Sequence, residues 1–203
     1  MSGAEEALLR LRLGNQRFVA GHTEVVTDDA RRSELISGQA PFAVVLGCAD
    51  SRAPVERIFD QGLGDLFVIR VAGNLVTPAV TGSVEYAVAH CGSRLVVVLG
   101  HTQCGAVAAT VEEALTGVRP ASANVRAITE RIRPAVEGVM ETEGLQDSDD
   151  LQREAIRANI QASVDQLHTC SEFLAEQVQA GKLCILGAEY SLQHGTVTFF
   201  SEP

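Results

Sequence analysis

Val44-Val45-Leu46-Gly47-Cys48-Ala49-Asp50-Ser51-Arg52 reads as a buried strand that stops at a glycine and empties into a loop carrying a thiol, a carboxylate and a guanidinium. Leu95-Val96-Val97-Val98-Leu99-Gly100-His101-Thr102-Gln103-Cys104-Gly105 repeats that grammar with an imidazole and a second thiol. Short, Val-rich apolar runs suit strands covered on both faces, as in a parallel sheet. In an open α/β sheet, the loops at the carboxyl ends of the strands are where ligands bind. Two such ends side by side bring Cys48, His101 and Cys104 to one point.

The chain on either side alternates helix and strand. Ala4 to Ala20 sets Leu8, Leu9, Leu11, Leu13, Phe18 and Val19 among Arg and Glu, an amphipathic helix that needs its own sheet or a partner subunit to cover. His22 to Ile36 is polar and reads as loop with a short helix. The first strand is Phe42 to Leu46, after Pro41, and Pro54 suits the first turn of a short helix over 53–59. Leu66 to Val71 is a second strand and Ala72-Gly73-Asn74 its end loop. Thr81 to His90 is helical, and Leu95 to Leu99 is the third strand. An Ala-rich helix runs from Cys104 to Leu115. Ser122 to Met140 is helical with a kink or break expected at Pro134. Glu141 to Asp150 is a surface loop, and Leu151 to Ala180 is the longest helix. Leu183 to Tyr190 is the fourth strand. After a turn at His194-Gly195, Thr196 to Phe200 is an antiparallel strand at the edge. This order predicts an α/β fold: a mainly parallel central sheet with an antiparallel edge strand, flanked by helices. It makes one domain over 1–203, with a helical arm over 1–36 and an α/β core over 42–203. The class admits a dinucleotide-binding fold, but the Gly-x-Gly-x-x-Gly fingerprint of one is absent.

Composition sets bounds. A chain of 203 residues buries a full core without metal or disulfide staples, so a metal site here is functional rather than structural. Trp is absent and aromatics are 4%, which leaves the core to Val, Leu, Ile and Ala. A net charge of −10 argues against nucleic acid and anionic membranes as partners. The cysteine count, five, is odd, and the spacing is not that of a disulfide scaffold. The start carries acids and no long apolar run, and no segment approaches the roughly 18 apolar residues of a membrane span. Free thiols and a reducing cytoplasmic location are expected.

Zinc takes Cys sulfur and His nitrogen, and a catalytic zinc keeps three protein ligands with a fourth position open. Cys48, His101 and Cys104 supply a Cys2His set, and His101-x-x-Cys104 is a spacing that a tight turn folds around one ion. A helix starting at Cys104 would help hold its negative charge. Any one of these residues alone reads as ordinary core. Asp50 and Arg52, two apart, can pair through parallel hydrogen bonds. Taken as a surface ion pair they contribute little. Taken with the metal, Arg52 holds Asp50 ionised, and Asp50 either accepts a proton from the nucleophilic water or fills the fourth position and closes the site.

With Gly64 to Asn74 and Ser83-Val84-Glu85-Tyr86-Ala87, these motifs resemble the β-class carbonic anhydrases over nearly the whole chain. The resemblance implies one Zn2+ per subunit on Cys48, His101 and Cys104, with zinc-bound hydroxide attacking CO2 to give bicarbonate and a proton. It implies Asp50 and Arg52 as the catalytic dyad, and a CO2 pocket of Gln39, Phe67, Ala72, Tyr86 and Gly105, with Gln39 reaching across a dimer interface. It also implies a homodimer or tetramer in which the N-terminal helix wraps the partner. Members with an inhibitory bicarbonate site use a Trp three positions before the first Cys ligand. Val45 stands there, although that site's Arg is present as Arg70. Close relatives of the family use CS2 or COS on the same ligands, which the ligand set does not discriminate. A redox sensor built on Cys48 and Cys104 is the alternative from another class, and it has no need of Asp50 and Arg52.

Overall fold

The computed structural model of the chain describes residues 3–25, 29–141 and 148–203, except the side chains of 148 and 149. Five strands form one sheet: β1 (Ala43–Gly47), β2 (Leu66–Arg70), β3 (Leu95–His101), β4 (Cys184–Tyr190) and β5 (Val197–Phe199). Their order is β2-β1-β3-β4-β5, parallel except for antiparallel β5 at the edge. β1 and β3 are buried along their full length, as their unbroken apolar runs require.

Alternate residues of each strand feed two cores. Ala43, Val45, Leu95, Val97 and Leu99 face α1 (Gly3–Val19) and α3 (Val55–Ile58). Val44, Leu46, Val96 and Val98 face α4 (Pro78–His90), α5 (Gly105–Thr116), α6 (Ala123–Met140), α7 (Ser148–Thr169) and α8 (Glu172–Gln179). Helix α2 (Asp29–Glu34) buries no residue and continues into a 3-10 turn, Leu35–Ser37.

The arm helix α1 packs Ala4, Ala7, Leu8 and Leu11 against its own sheet and leaves Leu9, Leu13 and Val19 exposed at 45–47%. Arg17 of α1 is tied to the buried Asp60 after α3, with Nε 2.5 Å from the carboxylate. Burial pushes the Asp60 carboxyl up. Hydrogen bonds from Thr23, Arg17 and the Glu24 N–H more than reverse this and leave it at about 2.

Two expectations need correction. Helix α6 runs through Pro134, so of the expected kink or break the break does not occur. The ring lies on the exposed side, where the orphaned carbonyl one turn back can meet water. Thr129, Ile132 and Val136 hold both halves of the helix down. The longest helix, expected over 151–180, is two helices. Ser171 intervenes: its Oγ accepts from the Leu174 N–H at 3.1 Å and donates to the Glu85 carboxylate at 2.5 Å, which starts α8 as an N-cap. Most of the loop expected over 141–150 lies outside the described residues, and from Ser148 the chain is already helical.

Candidate metal centre

Three elements deliver the three soft donors. Cys48 is the first residue past β1, His101 is the last of β3, and Cys104 stands at the N-cap of α5. Between the last two, Gln103 takes a left-handed conformation (φ 57) that folds His101-x-x-Cys104 back on itself. The turn is pinned to the chain at the end of β4. The Thr102 N–H donates to the Tyr190 carbonyl at 2.9 Å, and Thr102 Oγ1 accepts from the Leu192 N–H at 3.0 Å.

All three side chains are buried, and their ligand atoms lie within 4.8 Å of one another. His101 Nδ1 lies 2.9 Å from the Thr102 carbonyl, which puts the imidazole proton on Nδ1. Nε2 is then a lone pair, buried and, among the described residues, without a hydrogen-bond partner. A buried polar atom left unpaired costs about 1–3 kcal/mol unless something satisfies it. Two sulfurs and one nitrogen converging at this spacing form the donor set of zinc, and the orphaned Nε2 is the atom such an ion would satisfy. The residues present fit the metal.

The charge distribution points the same way. The Cys48 thiol is drawn well below its usual range, first by the hydrogen bond with Cys104, then by His101 and the Gly73 N–H, against the opposing pull of burial. The Cys104 thiol is pushed up by that same neighbour and by burial, and pulled down by the first N–H groups of α5. Burial lowers His101, and the nearby Cys48 sulfur, the Thr102 carbonyl and the Asp50 carboxylate outweigh that to raise it. Two thiols and an imidazole this close cannot each carry an ordinary charge state by themselves. A divalent cation held here would remove the conflict by taking both thiolates.

Around the donors is a cage of guanidinium contacts. Arg52 grips Asp50 through Nε–Oδ1 at 3.0 Å and Nη2–Oδ2 at 2.8 Å, and its backbone N–H adds a bond to Oδ1 at 2.8 Å. The Asp50 carboxyl is therefore held well below the usual carboxylate range. Arg52 Nη2 also donates to the Gln103 carbonyl at 3.2 Å, which joins the two ligand loops. Asp50 Oδ2 stands 3.8 Å from His101 Nε2, at the mouth of the donor set and turned toward Arg52. Arg70 donates to the Cys48 carbonyl at 3.0 Å and the Asp50 carbonyl at 2.6 Å, so its guanidinium is spent on this loop. Val45, in contrast, is fully buried on the α1 side of the sheet.

The remaining expected residues are spread more loosely. Phe67 of β2 and Tyr86 of α4 meet with ring centroids 6.2 Å apart, and Tyr86 is 50% exposed. Ala72 opens a 3-10 turn, Ala72–Asn74, and is half-buried. Gly105, exposed, begins α5. Gln39 is exposed on the connection to β1, and among the described residues no hydrogen bond joins it to the donors. Sequence reasoning missed the Gly73 N–H, 3.4 Å from Cys48 Sγ, and the ring of His90, packed 4.9 Å from that of Tyr86. The spacing of Tyr86 and His90 on one helix was the available signal for the latter.

Comparison with known proteins adds an independent line. The family model described as carbonic anhydrase matches residues 43–197. "Carbonic anhydrase 2" of Mycobacterium tuberculosis is 41% identical over 186 residues, 91% of this chain and 87% of the relative. The β-carbonic anhydrase of Coccomyxa, solved with acetazolamide, superposes with a TM-score of 0.75 at 26% identity over 87% of this chain and 79% of its own. A tetrameric β-carbonic anhydrase from Sordaria macrospora has the same fold, with a TM-score of 0.75 at 24% identity over 84% of this chain and 86% of its own.

Proposed function

We propose that this chain, which belongs to the carbonic anhydrase family and within it to the β class, reversibly hydrates CO2 to bicarbonate and a proton with zinc held by Cys48, His101 and Cys104. The observation that carries the reading is the buried, unpartnered His101 Nε2 within 4.8 Å of two cysteine sulfurs. Zinc on such donors supplies a Lewis acid that makes water a nucleophile at neutral pH.

The chain's own residues do the rest. Asp50 and Arg52 are the dyad. Asp50 Oδ2, on the open side of the donors, accepts a hydrogen bond from the attacking water and so aims its lone pair at CO2. A carboxylate held this acidic by Arg52 does not keep a proton at neutral pH. It orients the water and passes the proton on to solvent. If Arg52 releases it, the same carboxylate reaches the donors and closes the site. Phe67, Ala72, Tyr86 and Gly105 form an apolar wall for an uncharged gas, and Gln39 donates to a substrate oxygen.

The protein works as a homodimer or tetramer. Leu9, Leu13 and Val19 on α1 and Tyr86 on α4 are exposed on a single chain, and β2 is a half-buried edge strand. A related fold is tetrameric. No helix among the described residues is long and apolar enough to cross a membrane. With free cysteines, this is in keeping with the cytoplasm.

The test is zinc content and stopped-flow CO2 hydration on wild type and Asp50→Asn. About one zinc per chain with fast hydration in wild type, and slow hydration with zinc retained in the variant, is the expected outcome. A protein that holds no zinc, or whose Asp50→Asn variant is as active as wild type across the pH range, refutes the reading of the site.

A further inference from the structure

Helix α7 contributes none of the donors, yet one of its side chains reaches the turn beside Cys48. Asn159 is 2% exposed, and its Nδ2 donates to the Gly73 carbonyl at 2.9 Å. The N–H of that same Gly73 points to Cys48 Sγ at 3.4 Å. The turn is one the backbone does not favour by itself. Gly73 (φ 75) and Asn74 (φ 46) are consecutive left-handed residues, and such conformations persist where the surroundings hold them. A Cβ at Gly73 would also lie 2.9 Å from the Ile132 side-chain methyl, which would have to shift to admit it.

Helix α7 packs directly on the sheet beside this turn. Ile160, the next residue, is seated over Gly100 of β3 and Gly187 of β4. A Cβ at Gly100 would stand 2.5 Å from Ile160, and one at Gly187 2.8 Å. Glycines at those strand positions admit the helix, and the helix delivers the amide.

We propose that Asn159 is a positioning residue for Cys48. By fixing the Ala72–Asn74 turn through the Gly73 carbonyl, it aims the Gly73 N–H at the Cys48 sulfur and sets the direction in which that thiolate offers its lone pairs to the metal. The inference rests on the zinc reading above. Partners at this remove from a metal typically change its affinity about 10–100-fold when lost.

The experiment compares zinc-loaded wild type, Asn159→Ala, Asn159→Asp and Val164→Ala, the last a core truncation on the same helix away from the turn. Each is titrated with a metal chelator. The cobalt-substituted forms are read by their thiolate-to-cobalt absorption band, and thermal midpoints are recorded alongside. Both Asn159 variants should release zinc at about 10–100-fold lower chelator strength and shift the cobalt band. Val164→Ala should lower the midpoint with wild-type affinity and band. If Asn159→Asp does not fold, Asn159→Ala decides alone. Wild-type retention and band in the Asn159 variants overturn the proposal. Equal losses in Val164→Ala also overturn it, because they reduce Asn159 to helix packing. A wild type that binds no zinc overturns both this inference and the zinc reading; a wild type that binds zinc beside unaffected Asn159 variants overturns this inference alone.

Discussion

The donor cluster and the residues proposed to form the pocket wall differ in how complete they are. Cys48, His101 and Cys104 are at most 5% exposed, locked to neighbouring loops and assembled within one chain. Tyr86 is 50% exposed, and Gln39 lies out on a connection, with no hydrogen bond to the donors among the described residues. Donors for a divalent cation must be preorganised and shielded, and a single core achieves both. The proposed wall for an uncharged gas needs only apolar surface that excludes water, which a second copy of the chain would extend.

That contrast breaks most visibly at the donors. Cys104→Ala should lose zinc and fall to the uncatalysed rate, a drop on the order of 10⁶-fold in kcat/KM, read by metal analysis and stopped-flow. Substantial activity in the zinc-free variant would dissolve the distinction between the two regions. Asp50→Asn comes next, with zinc retained and kcat down about 10²–10⁴-fold, the range expected for a positioned proton-transfer group. At the wall, Gln39→Ala should lower kcat/KM about 10-fold with zinc unchanged, the worth of one hydrogen bond. An unchanged kcat/KM would take Gln39 out of the pocket.

The smallest effect lies away from both regions. Asp60→Asn removes the charge that Arg17 grips and should leave zinc content unaltered. It should lower stability at pH 7 by about 2 kcal/mol. Asp60 has a folded value of about 2, below the ordinary carboxylate value of about 4, so its contribution is complete above about pH 5. It is lost as pH falls through 4 toward 2. Thermal melts of the two proteins should therefore differ at pH 7 and converge near pH 2; a gap that stayed constant with pH would mean that charge is not what Asp60 contributes.

Much of this was legible in the chain. The runs ending at Gly47 and Gly100 gave β1 and β3, the mainly parallel sheet followed from the alternation of strands with helices, and the antiparallel edge followed from the turn at His194-Gly195. Local rules failed where distant contacts intervened. Pro134 breaks isolated helices, but α6 is docked on both sides of it. The Ser171 cap was readable, since Ser before Glu172 is a start signal, yet the apolar pattern running on past it hid the stop. Asn159 carries no local signal, because a polar residue within a helix usually faces water.

The sequence by itself determined which chemistry this protein can hold. Two thiols, an imidazole and an Asp-x-Arg pair at strand ends depend on residue identity and short-range order, which the chain states directly. Tertiary structure alone decided the charge state and the aim of those groups. The tautomer of His101 depends on a carbonyl in its own tight turn, the ionisation of Asp50 on how Arg52 folds back, and the setting of Cys48 on a turn held from α7. Each is a matter of ångströms between atoms that the sequence order leaves free, and only packing of the whole domain fixes them.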